Sequence, residues 1–224
     1  MERVGSITDG TSAAERREQL LEAADRVVQR EGSAASMNLI AAEAGITKPI
    51  LYRHFGDKGG LYRALAARHV DRLLARLRAA LITRGGLTVR TRATVDAYLA
   101  AVEEQPQVYR FLMERAATED VDVRGQVLGF VRRFGDELAA GLQAEATLAP
   151  LGNVRAQVWA HGIAGMVQAA GDWWLDHPDV PRAAVVDELI ALMFGEFGLG
   201  TPSLDPAAVD SPSLDSPSLG TPSA

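Results

Sequence analysis

The side chains able to do chemistry are concentrated between residues 36 and 58, SMNLIAAEAGITKPILYRHFGDK. Within it Thr47, Lys48, Tyr52, Arg53, His54 and Lys58 supply hydroxyl, ammonium, phenol, guanidinium and imidazole groups in one short run. These are donors suited to phosphate oxygens, and the fork of Arg53 can pair bidentately with guanine. They do not form a catalytic set, which would need a nucleophile with its base, facing carboxylates or a metal cluster. The chain has no cysteine, and its four histidines, His54, His69, His161 and His177, are not spaced as metal-binding pairs. His69 and His161 could meet across a helical bundle, but ordinary core or surface roles are the favoured reading. The expectation is a protein that is not an enzyme, with no cofactor and no metal.

Two short helices must hold this set. Ser36 is a good N-cap, and Ile40, Ala41 and Ala44 give the first helix an apolar face. Gly45 stops it, because glycine takes the left-handed conformation without steric cost. Thr47 is expected to cap the second helix, and Pro49 falls early in it, where a missing N–H costs little. Leu51 and Phe55, four apart, share its buried face. That leaves Thr47, Lys48, Ile50, Tyr52, Arg53 and His54 on the outer surface or its margins. Helix, glycine-centred turn, helix is the helix-turn-helix pattern.

The stretch resembles the tetracycline-repressor (TetR) family of bacterial transcription regulators, whose pattern A-G-[VI]-[ST]-K-x-x-[LI]-Y-x-[HY]-F-x-x-K is met without a gap. The matching residues are Ala44, Gly45, Ile46, Thr47, Lys48, Leu51, Tyr52, His54, Phe55 and Lys58. Lys48 and Lys58 near helix N-termini are expected to touch DNA phosphates, as is the Tyr52 hydroxyl, which the resemblance also implies. Thr47, Pro49 and Arg53 are the candidates for base edges. Ser36 and Asn38 would add backbone contacts, and His54 either a phosphate contact or a cap. Three residues depart from the family habit. Leu39 stands where an acidic residue is more usual, and Gly59-Gly60 follow Lys58 where helix formers are common, which predicts a frayed helix start. The Lys48-Pro49, Arg68-His69-Val70 and Trp173-Trp174-Leu175 runs are similar to actinobacterial regulators of lipid metabolism, some of which answer to long-chain acyl-CoA.

Charge placement agrees with a DNA partner although the total is −6. Residues 1–84 carry 14 Lys and Arg against 10 Asp and Glu, and residues 85–224 carry 9 against 19. A basic end on an acidic body gives an oriented docking surface. The N-terminus lacks the apolar segment of a secretory signal, and no apolar run reaches membrane-spanning length, so the expected location is the cytoplasm.

Every longer segment reads as helix, giving an all-α expectation: an N-terminal three-helix DNA-binding domain and a C-terminal helical bundle. Residues 12–31 carry the stripe Leu20, Leu21, Ala24, Val27, Val28 behind a Ser12 cap. A long helix capped by Asp57 runs to Gly85-Gly86, about 40 Å at 1.5 Å per residue. Further helices are expected at 88–104, 106–117, 121–146, 153–176 and 182–198. The division is 1–11 disordered, 12–58 DNA-binding, 59–200 effector-binding and dimerising, and 201–224 a disordered Pro/Ser-rich tail. Tyr98, Tyr109, Phe111, Met113, Phe130, Phe134, Trp159, Met166 and Trp173 are the candidate lining of an apolar pocket for a small, acyl-type effector. Val158, Leu189, Met193 and Phe197 are the candidate homodimer surface, which the resemblance places on the last two long helices. The reading is a homodimeric repressor of a palindromic operator, released by its effector. The competing reading is a non-enzymatic α-helical small-molecule carrier or adaptor without DNA binding, which would not need Lys48, Tyr52 and Arg53 on one exposed face.

Overall fold

Helix α1 (Ala13–Glu31) starts on a capping box: Ser12 Oγ accepts from the Glu15 N–H at 3.1 Å, and the Ser12 N–H donates to Glu15 Oε2 at 2.7 Å. The computed structural model describes residues 12–118, 121–145 and 152–195, so Asp120, the Pro150-Leu151 connection, Phe197 and the terminal segments lie outside the described residues. All five residues of the expected α1 stripe are buried. A short 3-10 turn (Gly32–Ala34) leads to α2 (Met37–Glu43), capped by Ser36, which accepts from the Leu39 N–H at 3.4 Å. Gly45 has φ +64°, the left-handed turn that its residue type predicts. Helix α3 (Lys48–Phe55) follows, with Thr47 at the N-cap position. There the structure differs from expectation, because the Thr47 side chain makes no capping hydrogen bond.

Helix α4 (Lys58–Leu81) begins where Asp57 accepts from the Gly60 N–H at 2.6 Å. The glycines there have a reason that propensity does not reveal. A Cβ on Gly60 would sit 1.9 Å from the Phe55 carbonyl oxygen, so only glycine lets α4 cross so close to the end of α3. Gly60 is buried and helical, and the cost in propensity is the condition of that crossing. Then come α5 (Leu87–Glu104), α6 (Pro106–Thr118), α7 (Val121–Ala144), α8 (Gly152–Leu175) and α9 (Arg182–Phe194), with no strand among the described residues.

Two main cores form around α4. The first joins Leu20, Val27 and Val28 of α1 to Ile40, Leu51, Phe55, Leu61, Tyr62 and Leu65, and takes Val108, Phe111 and Leu112 from α6. Each aliphatic side chain fully buried there contributes roughly 1.5–3 kcal/mol. Tyr62 and Phe111 meet edge to face, their centroids 5.0 Å apart, and the Arg115 guanidinium lies over both rings. The second core runs from Val70, Leu74 and Leu77 through α5 to Val167 and Trp174 of α8 and Val186, Leu189 and Ile190 of α9. Arg182 fastens α9 to α5 through Asp96 and Glu103. One unbroken helix, α4, therefore belongs to both cores.

Candidate DNA-contact face and effector cavity

Leu51 and Phe55 turn the inner face of α3 into the first core, and the outer face follows from that choice. Thr47, Lys48, Pro49 and Arg53 are exposed, as are Asn38 on α2 and Lys58 at the start of α4, while Ser36, Tyr52 and His54 are half-buried. Lys48 Nζ lies 5.7 Å from the Tyr52 ring centroid and Lys58 Nζ 5.5 Å from that of Tyr62. The aromatic faces thus hold both ammonium groups loosely, without the competition that a carboxylate would bring. Among the described residues no carboxylate pairs with Lys48, Arg53 or Lys58, whereas Arg26 and Arg30 bind Glu43, Arg76 binds Glu104 and Arg78 binds Glu137. The cations without a described carboxylate partner stand on the exposed side of α3 and at the start of α4. Arg17 joins this margin from α1, its guanidinium 4.5 Å from the Phe55 ring centroid. Sequence reasoning missed it, because only the packing of α1 across α3 brings it there.

The nine candidate pocket residues separate into groups. Tyr98, Tyr109, Met113 and Phe130 line a void of about 100 Å³ between α4, α5, α6, α7 and α8, together with His69, Val102 and Gln168. Tyr98, Phe130 and Phe134 also border a second void of about 60 Å³ toward Leu81 and Ile163. Phe111 is instead buried in the first core against Tyr62. Trp159, Met166 and Trp173, spaced by sevens, share the other face of α8: Trp159 and Met166 line a groove with Val158 and Met193, and Trp173 lines another with Leu189. Of the candidate dimer residues, Val158 is exposed, Leu189 and Met193 are mostly buried, and Phe197 lies outside the described residues. Val131 and Gln168 at the cavity had no signal in the sequence, since which face of α7 and α8 points inward depends on their partners; His69 was singled out there only as a possible mate of His161.

The voids are apolar with a small polar seam. The Tyr109 hydroxyl donates to Asp172 Oδ1 at 2.5 Å and lies 3.0 Å from the Tyr98 hydroxyl. Burial, above all, pushes both phenols upward from their ordinary value near 10, so both stay neutral donors at working pH. His69 is tied to Asp25, and His161 to the Gln157 carbonyl at 2.9 Å and Asp136 at 3.9 Å. The two histidines are thus engaged separately.

Comparison with known proteins decides the lineage. Residues 20–65 match the family described as bacterial regulatory proteins, tetR family, and residues 76–208 match the tetracyclin repressor-like C-terminal domain. The chain belongs to the TetR family. The HTH-type transcriptional activator FasR of Mycolicibacterium smegmatis is 35% identical over 184 residues, 81% of this chain and 82% of the relative. An uncharacterized HTH-type transcriptional regulator of Mycobacterium tuberculosis is 31% identical over 179 residues, 80% of this chain and 75% of that one. A solved TetR-like transcriptional regulator from Rhodococcus sp. RHA1 superposes with a TM-score of 0.61 at 26% identity, over 80% of this chain and 93% of that chain. This TetR protein is a DNA-binding transcriptional regulator with the all-α architecture expected, and its relatives place it in an actinobacterial branch. No described helix is long and apolar enough to cross a membrane.

Proposed function

We propose that this chain is a cytoplasmic, non-enzymatic homodimer that reads a palindromic operator with α3 and is released by an apolar, acyl-type effector bound beside α4. Residues 12–58 form the DNA-reading unit, supported by the first turns of α4 and by α6, and residues 59–200 carry the effector site and the dimer surface on α8 and α9. The observation that carries the DNA side is that Thr47, Lys48, Pro49, Arg53 and Lys58 are exposed, with no described carboxylate paired to the three cations. Lys48, Lys58 and Tyr52 serve as phosphate contacts and Arg53 as the base reader, with Ser36, Asn38 and His54 at the margin. Two such faces would meet half-sites about one helical turn, 34 Å, apart.

The effector side rests on the apolar lining and on size. The two voids, about 100 and 60 Å³, are far below the ~300–1,000 Å³ of ligand pockets. An effector must therefore open the partition of Tyr98, Phe130, Val131 and Gln168 that borders both voids, and a bound state differs from the one described. That difference gives the effector its leverage on α4. Whether release lowers or raises transcription follows from where the operator lies; the M. smegmatis relative is named an activator.

The test is selection of random duplex DNA by the purified protein at two salt concentrations, followed by titration of the selected duplex with palmitoyl-CoA. The reading requires an enriched palindrome, affinity that falls steeply with salt, and loss of binding on titration. A carrier or adaptor without DNA binding would enrich no sequence.

A further inference from the structure

One side chain at the larger void also touches the DNA-reading half. His69, on α4, lines the void, and its Nε2 lies 2.6 Å from Oδ1 of Asp25 on α1. The other oxygen of that carboxylate accepts from an Arg68 terminal nitrogen at 2.8 Å. Arg68 is nearly buried, its second terminal nitrogen lies 2.8 Å from Glu18, and its Nε finds no partner. Arg72 reaches Glu18 at 3.2 Å. The α1–α4 junction is thus a charged cluster of Glu18, Glu22 and Asp25 against Arg68, His69 and Arg72. Of these six, His69 alone borders the void. On its far side α1 carries the reading helices, through the shared core and through Arg26, which binds Glu43 at the end of α2.

We propose that His69 is the residue that reports filling of the void to α1. The inference rests on the void being the effector site. An occupant that widens the void presses on the imidazole, which has the void on one edge and Asp25 on the other. Turning the ring breaks the 2.6 Å contact and leaves Asp25 held by Arg68. Helix α4 then loses its shortest polar tie to α1, and the two can slide. Because α2 packs on α1 and α3 packs on α2, that slide moves the recognition face. His69 is therefore a positioning residue, which contacts neither base nor phosphate. A hydrophobic residue at this place would line the void equally well but could not carry the change across to α1.

The experiment needs a filled void without an identified ligand. Ala101 lines the same void, so Ala101→Phe builds an occupant into the full-length protein, with Ala101→Leu as a milder filling if the phenylalanine variant does not fold. Affinity for the selected duplex and amide hydrogen exchange along residues 20–28 are measured for wild type, A101F, H69Q and the double variant. In the wild-type background, filling should change operator affinity about tenfold, in the usual range of allosteric coupling, and speed exchange in α1. In the H69Q background the same filling should change affinity by less than about twofold and leave α1 exchange alone. D25N, which removes the acceptor from the other side, should reproduce H69Q. Equal effects of filling in both backgrounds, or a folded A101F protein with unchanged affinity and exchange, would overturn the role of His69. Palmitoyl-CoA added to wild type and D25N, whose altered residue does not line the void, separates the two claims. Equal binding to both with operator release only in wild type supports the coupling. Failure to bind either removes the effector chemistry, while the filling cycle still decides His69.

Discussion

At the scale of single residues, the α3 face and the tyrosine seam make opposite uses of polar groups. Arg53 is exposed and without a described carboxylate partner, so a guanidinium–guanine pair would form at little cost in broken contacts. Arg53→Ala should relax base preference at one operator position by about 1–3 kcal/mol, read as near-equal affinity for operators mutated there. Tyr52→Ala and Lys48→Ala should instead weaken all duplexes alike. For Lys48→Ala the slope of log affinity against log salt should fall by about one; an unchanged slope would remove Lys48 from the phosphate contacts. Tyr98 and Tyr109 hold their protons above the ordinary phenol value because they are buried. The unfolded chain therefore ionises first as pH rises. The stabilisation from keeping these phenols neutral is fully present below pH ~10 and is lost as pH climbs from there toward their folded values. Urea melts at pH 9 and pH 11 should show a steep loss in wild type and a shallower one in Tyr98→Phe, which starts lower by about 1 kcal/mol for its missing hydrogen bond. Parallel losses would mean that the seam opens before it titrates.

At the scale of elements, the crossing of α3 and α4 is the tightest joint that positions the site. Gly60→Ala would bring a methyl within 1.9 Å of the Phe55 carbonyl oxygen, so the start of α4 must move away from α3. We expect a loss of about 1–3 kcal/mol in stability and weaker operator binding, because Lys58 and α3 change their relative placement. Gly141→Ala is the control. A Cβ there meets nothing within 4 Å, so calorimetry should show a gain of up to about 1 kcal/mol from helix propensity alone. The same contrast explains what was legible. The caps at Ser12, Ser36 and Asp57, the Gly45 turn and the α1 stripe are written in neighbouring residues, and the structure has all of them. The outward set on α3 was readable because Leu51 and Phe55 fix its inward face. Gly60 read as a fraying cost because its cause is a carbonyl on another helix. Phe111 read as pocket lining because nothing local says that α6 closes the first core. Trp159, Met166 and Trp173 stand at one heptad spacing, which announces a shared face but not its direction.

At the scale of the whole molecule, α8 and α9 leave apolar surface uncovered. Val154, Val158 and Trp173 of α8 and Leu192 of α9 are exposed large hydrophobic residues, with grooves between them lined by Ala170, Val185 and Leu189 on one side and Met166 and Met193 on the other. Exposed apolar surface of this kind marks a partner site, and on the proposed reading a second copy is the partner that a palindromic operator would require. Each monomer offers few cations to DNA, so affinity depends on joining two half-site contacts. Once one recognition helix is seated, the proposed dimer would hold its mate at a high effective concentration beside the second half-site. Leu192→Glu or Val158→Arg would place a charge in that contact without touching either core. Light scattering should then report a monomer of about half the mass, circular dichroism should keep its helical signal, and operator affinity should fall by at least about a hundredfold. A stable dimer with full affinity in both variants would move the interface off α8 and α9. A monomer that kept its affinity would separate DNA binding from dimerisation, and with it the demand that effector binding act through the spacing of two recognition helices.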